Sequence, residues 1–315
     1  MNALASPDAA LKDFCQTPYQ MVCGEGSAVA RERMEHIQQI ADEIKKPALA
    51  AAYEYLYDGD EMPPDFDENI LKNIMPKAKR QKATKLFLAE LRVQLRRYLE
   101  ANNVPTDMEV PAIKGSLIRA IQNSNEIDGQ TRDAMITSVQ ETRVMTIADI
   151  NSEVLENSGH SVIEVYKGCS KNMFLDNAFA TEISHQKVVV ICPGEIIGSI
   201  EFAKAENLSV QARLGVLIMT LGHEISHHFD YRTYPQAYQN LMANLGTSSN
   251  YMSEISADAW GLKTFMVATN AIANTTTRAT LLRGGMNDLC GTADDGEHPD
   301  GRFRIEKLAP VYLCK

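Results

Sequence analysis

The most constraining feature of the sequence is the stretch 208–230, which carries the pattern H-E-x-x-H at 223–227. Two histidines four residues apart on a helix lie on one face, so both imidazoles can reach the same metal ion. Glu224 is rotated from His223 by about 100°, which places its carboxylate beside the metal and suits it to act on a water molecule there. The apolar run 214–221 predicts that this helix is buried, which would hold the site rigidly.

A catalytic zinc site needs three protein ligands and one position left for water, so a third ligand must follow. Glu254 and Asp258 are spaced i and i+4 on a predicted helix, and both carboxylates therefore point to the same side. We predict one Zn²⁺ ion bound by His223, His227 and Glu254. Asp258 would accept the second ring N–H of a ligand histidine. A third histidine at the spacing of related motifs is excluded, because position 233 is a threonine.

Two alternatives concern the acids of this region. Glu254 and Asp258 are alternatively two solvated acids on a surface helix, an interpretation that the preceding H-E-x-x-H pattern disfavours. Asp230, three residues after His227, is open to two interpretations. It either accepts a hydrogen bond from a ligand histidine or is a polar residue at the end of the helix.

Length and charge limit the possible partners. A chain of 315 residues can bury one large core or two lobes. The net charge is −10 and no basic cluster stands out against it, so nucleic-acid binding is not expected. No run approaches the roughly 20 apolar residues that cross a membrane, so we expect no transmembrane segment.

The cysteines indicate the compartment. None belongs to a C-x-x-C pair, and an even number spread over the chain favours three disulfides over a zinc cluster. The alternative is six buried thiols. Residues 1–20 show no basic start followed by an apolar core, so no signal peptide is visible. Because the cysteines favour disulfides, we expect an exported protein whose leader has been removed. The six positions are Cys15, Cys23, Cys169, Cys192, Cys290 and Cys314.

The first half of the chain is predicted to be helical. Residues 1–27 are polar and predicted to be irregular. Helices are predicted at 27–57 with a break at Pro47, and at 77–101, 110–122, 129–141 and 146–157. Basic residues at 77, 79, 80 and 82 predict a solvated helix face, with an anionic partner as the alternative. A turn at 157–159 divides a helical N-terminal lobe, 1–160, from a second lobe, 161–315.

The second half adds a small sheet. Short β-branched segments predict strands at 161–167, 178–184 and 187–192, immediately before the zinc helix. Further helices are predicted at 235–245, 251–270 and 277–283, then a loop over 284–300 and a short terminal helix. The result is a mostly helical α+β fold. A sheet, the H-E-x-x-H helix and a second ligand helix, in this order, are typical of a glutamate-type zinc peptidase lobe (gluzincin, thermolysin-like).

Together these motifs resemble the neprilysin and endothelin-converting-enzyme family of zinc metallopeptidases. Segments 222–230 and 254–261 are similar to its zinc motif and third-ligand motif, and 15–24 is similar to its cysteine-rich entry segment. Asn177-Ala178-Phe179-Ala180 resembles its edge strand, and the segment 298–304 resembles its late His…Arg motif. The family's helical lid would have only residues 24–160 here, which implies a less enclosed cleft.

The resemblance implies roles that the residues alone leave open. Asn177 and the backbone of Ala178 would align a peptide as an extra strand. His298 would stabilise the oxyanion, and Arg304 would position substrate and site. Six cysteines permit 15 pairings, and the family pattern implies the pairs Cys15–Cys314, Cys23–Cys290 and Cys169–Cys192.

The predicted function is a zinc metallopeptidase that acts on a peptide or protein, and endopeptidase activity is expected. Glu224 would be the general base toward a metal-activated water. One alternative is a gluzincin of the prenyl-protein or membrane quality-control type, which shares H-E-x-x-H, E-x-x-x-D and a His-Pro…Arg segment. The other is a non-catalytic peptidase-like binding protein.

Overall fold

Helices make up most of the described chain. The computed structural model describes residues 9–24, 27–58, 61–67, 74, 76–104, 110–146, 169, 178–183, 185–209, 214–246, 249–270, 272 and 274–314. The first six helices are α1 (Ala9–Gln16), α2 (Pro18–Cys23), α3 (Ser27–Tyr57), α4 (Lys77–Ala101), α5 (Val110–Gln122) and α6 (Gly129–Glu141). The fold is mostly helical with one small sheet, as predicted.

The long helices α3 and α4 pack along each other as a hairpin. In α4 the residues Phe87, Leu91 and Leu95 recur every four positions and are buried, which gives the helix one apolar face. The predicted break at Pro47 is wrong, because α3 continues through it. An interior proline costs a helix about 3 kcal/mol, and the burial of the residues that follow, among them Ala48, offsets this cost.

The N-terminal segment is also more regular than predicted. Residues 9–23 form α1 and α2 instead of an irregular chain. Phe14 and Val22 are buried there, and disulfides tie both helices to the C-terminal part. Cys15 pairs with Cys314 and Cys23 with Cys290.

A three-stranded sheet follows α6, with strand order β1-β3-β2. Its strands are β1 (Arg143–Thr146), β2 (Ala178–Ile183) and β3 (Gln186–Ile191). The central strand β3 pairs parallel with β1 and antiparallel with β2, and its residues 188–191 are buried. Strand β1 was not predicted, and Thr146, the predicted start of a helix, ends it.

Several predictions lie outside the described residues. These are the rest of the helix at 146–157, the turn at 157–159, the lobe boundary at 160, the strand at 161–167 and Asn177. The third disulfide, Cys169–Cys192, braces the residue that follows β3. The three pairs are those that the family resemblance implied. Closing loops of more than 100 residues, as the first two pairs do, stabilises a fold by roughly 5 kcal/mol each in the chain-entropy model.

A helix that the sequence did not reveal separates the sheet from the H-E-x-x-H helix. Helix α7 (Pro193–Ala205) is buried along residues 193–203, so it shows no amphipathic period. The prediction that the sheet immediately precedes the zinc helix is therefore wrong. Helix α8 (Leu217–Ser226) carries the first four residues of the motif; a 3₁₀ turn, Leu214–Val216, precedes it, and a second one, His227–Phe229, begins with the last motif residue.

The remaining helices complete the frame around α8. They are α9 (Gln239–Leu245), α10 (Met252–Thr269), α11 (Thr275–Met286) and α12, which comprises Gly301–Phe303, a π-helical turn Arg304–Leu308 and Ala309–Leu313. The predicted loop 284–300 is wrong at its start, because α11 reaches Met286 and a 3₁₀ turn covers Asn287–Leu289. No helix in the described part of the chain is long and apolar enough to cross a membrane.

Two glycines let α8 and α10 approach closely. A Cβ added at Gly222 would lie 3.0 Å from the Cα of Gly261, and one added at Gly261 would lie 2.8 Å from the carbonyl oxygen of Met219. Real Cβ atoms essentially never come closer than 3.0 Å to another heavy atom. This contact brings the residues that follow Gly222 beside the first turns of α10.

Candidate metal centre and active site

Three side chains from α8, the following 3₁₀ turn and α10 direct their donor atoms to one point. The Nε2 atoms of His223 and His227 are 3.1 Å apart. Glu254 places Oε2 3.2 Å from the first and Oε1 3.5 Å from the second. Ligands about 2.0–2.1 Å from a tetrahedral zinc ion are about 3.3 Å from each other, which these separations bracket. The three residues can therefore hold a metal ion.

The Nδ1 atoms of the two histidines face carboxylates on the side away from this point. Nδ1 of His223 lies 2.8 Å from Oδ1 of Asp258, and Nδ1 of His227 lies 3.2 Å from Oδ2 of Asp230. A carboxylate accepts an N–H, so with a metal ion bound each ring would keep its proton on Nδ1 and present a lone pair at Nε2. Two lone pairs and a carboxylate would then face the ion together.

The electrostatics agree with a site for positive charge. Burial disfavours a charged ring, but the carboxylates of Asp258 and Glu254 outweigh it and raise the pKa of His223 to about 10. Burial also opposes the charge of Glu254, yet the neighbouring His223 and His298 hold its pKa below the ordinary value. Among the described side chains, Glu254 Oε2 is a buried oxygen that meets no hydrogen-bond geometry. A metal ion would satisfy this atom.

An arginine supports each of the two outer carboxylates. Arg304 donates to Asp258 through Nε at 2.6 Å and Nη2 at 2.5 Å. Arg232 donates to Oδ2 of Asp230 through Nε at 3.1 Å and Nη2 at 2.8 Å. The open question about Asp230 is thereby answered, because it is fully buried and contacts His227.

Glu224 lies beside the donor atoms without joining them. Its Oε1 is 3.8 Å from Nε2 of His223, and the backbone of Ala180 in β2 donates a hydrogen bond to it. Burial, together with the charge of Glu254, raises the pKa of Glu224 above its ordinary value, although the two histidines oppose the shift. A carboxylate with a raised pKa, next to a metal position, is suited to accept and return a proton.

His298 reaches the same point from the loop before α12. Its Nε2 is 3.3 Å from Glu254 Oε2 and its Nδ1 is 2.8 Å from Asp295 Oδ2. The nearby carboxylate of Glu254 outweighs partial burial and raises the pKa of His298 to about 9. In the metal-free protein the ring is therefore protonated at neutral pH and can donate from both nitrogens.

Asp295 is a residue that the sequence analysis missed. Besides contacting the His298 ring, its Oδ1 accepts the backbone N–H groups of Glu297 and His298, at 2.9 and 2.6 Å. These bonds form a turn that fixes the imidazole. The available signal was an aspartate three residues before His298 and next to Gly296, a spacing that favours such side-chain-to-backbone turns.

A cleft of about 280 Å³ opens beside the metal position. Its walls include both apolar and ionisable side chains, namely Ala178, Glu195, Met219, Glu224, His298 and Arg304. The structure thus brings the predicted residues of the H-E-x-x-H helix, α10 and the 298–304 segment to one place, with Ala178 at its edge. Arg304 lines the cleft, and its described bonds go to Asp258.

No family model matches the chain, and neither a curated protein nor a solved structure matches it. The function is therefore inferred from the geometry of this site.

Proposed function

We propose that the protein is a zinc-dependent peptidase of the gluzincin type, in which Glu224 is the general base. The observation that carries the proposal is the convergence of three metal-donor atoms with a buried, non-ligating carboxylate in one cleft. A purely structural metal site closes all its positions with protein ligands. Here the described residues supply three, as protein ligands do at catalytic zinc sites.

The donor set favours zinc. His223, His227 and Glu254 would hold the ion through two imidazole nitrogens and a carboxylate, a combination common at catalytic zinc sites. Zinc in such a site lowers the pKa of a bound water to about 7 and polarises a carbonyl group. Asp258 and Asp230 keep both imidazoles in the tautomer with a free Nε2.

Glu224 would transfer the proton of the attacking water. Its carboxylate stands on the cleft side of His223 and takes the proton of the attacking water, then delivers it to the leaving amine. Burial raises the pKa of Glu224, which makes its carboxylate a stronger base toward that water. General-base catalysis of this kind contributes about 10²–10⁴ in rate.

His298 would stabilise the oxyanion. It is a protonated donor held by Asp295 at the cleft wall. A lost oxyanion donor typically costs about 3–4 kcal/mol of transition-state stabilisation. Arg304 would act mainly through Asp258, which it holds in place for His223, and its contact with substrate remains a prediction.

Strand β2 would align the substrate backbone. It pairs with β3 on one side, and within the described sheet it is an edge strand. An extended peptide can add to such an edge by main-chain hydrogen bonds. Ala178 lies in this strand and at the cleft, while Asn177 precedes it and lies outside the described residues. The geometry therefore favours an extended peptide or protein segment as substrate.

We further propose that the chain is a relative of the neprilysin family and is exported. The three disulfides support an oxidising compartment. The motif order at 177–180, 222–230, 254–261 and 298–304 supports the family.

The test combines metal analysis with peptide cleavage. The purified protein should contain one zinc per chain and cleave members of a quenched fluorescent peptide library, and a chelator should abolish cleavage reversibly. Glu224→Gln should keep zinc and lose at least about a hundredfold in kcat. Zinc binding without cleavage by the unaltered protein would indicate a non-catalytic binding protein instead.

The matched control is Glu54→Gln, an exposed carboxylate on α3 that does not line the cleft. It should retain near-normal activity. Equal activity of Glu224→Gln and Glu54→Gln would refute the role of Glu224.

A further inference from the structure

Helix α4 is basic in an acidic chain. It contains eight basic residues against two acidic ones, Glu90 and Glu100, whereas the whole chain has a net charge of −10. The basic residues extend beyond those noted at its start to Lys85, Arg92, Arg96 and Arg97. About a quarter of the 31 lysines and arginines thus lie on one helix, which marks it as a place for an anionic partner.

One face of α4 also exposes apolar side chains. Lys82, Leu86, Ala89, Val93 and Arg97 are all exposed and are spaced so that they fall within about 80° of the helix circumference. We call them the α4 outer stripe. Leu86 is 36% and Val93 40% exposed, two of the four large hydrophobic residues exposed in the described chain. The opposite face, including Phe87 and Leu91, packs inward.

We propose that the α4 outer stripe docks the protein on an anionic phospholipid surface. A helix lying on a membrane places short apolar side chains at the headgroup boundary and extends flanking lysines and arginines to the phosphates. The stripe offers both, Leu86 and Val93 between Lys82 and Arg97; the Lys82 ammonium lies 4.8 Å from the ring centroid of Tyr55 and would leave that contact for a phosphate. At 25 residues, α4 is about 37 Å long, and it packs along α3.

Charge complementarity together with the exposed apolar side chains favours a lipid surface over a nucleic acid or another simple polyanion. A polyanion needs cations alone, and the exposed Leu86 and Val93 would gain nothing from it, whereas a bilayer accepts both kinds of side chain. The acidic remainder of the chain does not prevent docking. At physiological ionic strength, repulsion is screened beyond about 8 Å, so the charge nearest the membrane decides the contact.

The stripe is independent of the cleft, so docking can be tested without peptidase activity. The full-length chain is sedimented with phosphatidylcholine vesicles that contain either no anionic lipid or about one third phosphatidylglycerol. We expect at least about tenfold stronger binding to the anionic vesicles, and loss of that binding at high salt. Equal binding to both vesicles, or none to either, overturns the proposal.

Two variants locate the contact. Lys82→Glu with Arg97→Glu should weaken vesicle binding about tenfold or more. The control, Lys46→Glu with Lys307→Glu, makes the same change of charge at exposed positions on α3 and α12 and should stay within about twofold. Equal losses in both double variants would contradict docking through α4. Circular dichroism melting of each variant checks that the fold is retained.

A third variant separates a membrane from other polyanions. Leu86→Gln with Val93→Gln leaves every charge in place and should weaken vesicle binding a few-fold, because the apolar insertion is lost. If it has no effect and the protein binds heparin as tightly as the anionic vesicles, the stripe recognises an anionic polymer and the lipid proposal is wrong.

Discussion

The two ligand histidines are supported by the same chemistry in different surroundings. Each donates its Nδ1 proton to an aspartate, and each aspartate is held by an arginine. The arginine behind Asp258 is Arg304, whose side chain is 12% exposed. The arginine behind Asp230 is Arg232, whose side chain is 68% exposed. We call each aspartate–arginine pair a support: one support is thus buried, and the arginine of the other reaches the solvent.

This difference predicts which support fixes the site. Burial disfavours the charge of Asp258, but Arg304 and His223 outweigh it and lower the pKa of Asp258 to about 2. Without them the carboxylate would be a buried charge with no partner, which is costly. Asp230 has other partners, since Ser253 and the backbone N–H of Arg232 also donate to it. The exposed arginine can therefore be lost at little cost.

The largest effect is expected from Arg304→Met, which leaves Asp258 buried without its strongest partner. Removal of one member of a buried ion pair typically costs about 3–5 kcal/mol of unfolding free energy. Urea unfolding of the metal-free protein measures it. As control, Asp258→Asn with Arg304→Met removes both charges and should recover part of the loss. A loss below about 1 kcal/mol for Arg304→Met would show that the pair is not effectively buried.

The next effect concerns metal affinity. Asp258→Asn should weaken zinc binding about 10–100-fold, because the amide no longer fixes the tautomer of His223. Asp230→Asn should act in the same direction on His227. Competition with a zinc chelator gives both dissociation constants. If Asp258→Asn binds zinc as tightly as the unaltered protein, its hydrogen bond to His223 does not orient the ligand.

The smallest effect is expected from Arg232→Met. An ion pair with an arginine that is two-thirds exposed contributes at most about 1 kcal/mol, since solvent screens it. Both the unfolding free energy and the zinc dissociation constant should change little, in contrast with Arg304→Met. Similar losses in the two arginine variants would remove the distinction between the buried and the exposed support.

The sequence predicted the helices with regular periodicity more closely than any other part of the fold. The bounds of α4, α5 and α6 agree with the prediction, since an apolar stripe on a polar helix is visible in the residues. Helix α7 was missed because burial on all sides removes that contrast. Strand β1, only four residues long, pairs with a distant strand that local sequence does not reveal.

The donor residues of the site were predictable for a similar reason. His223 and His227, and Glu254 and Asp258, share a helical spacing that places each pair on one face. The contact between His227 and Asp230 depends on the 3₁₀ turn after α8, and that of His298 with Asp295 on a loop. Such contacts follow from three-dimensional arrangement, which spacing alone does not specify.

Because α8 and α10 cross at Gly222 and Gly261, the separation of the metal-donor atoms depends on the distance between the two helix backbones. His223 belongs to one helix and Glu254 to the other, so a single methyl group wedged between the two backbones would widen the gap that the ion has to bridge. Metal affinity in this protein should therefore fall when the spacing between the two helices increases, even when every ligand atom is unchanged.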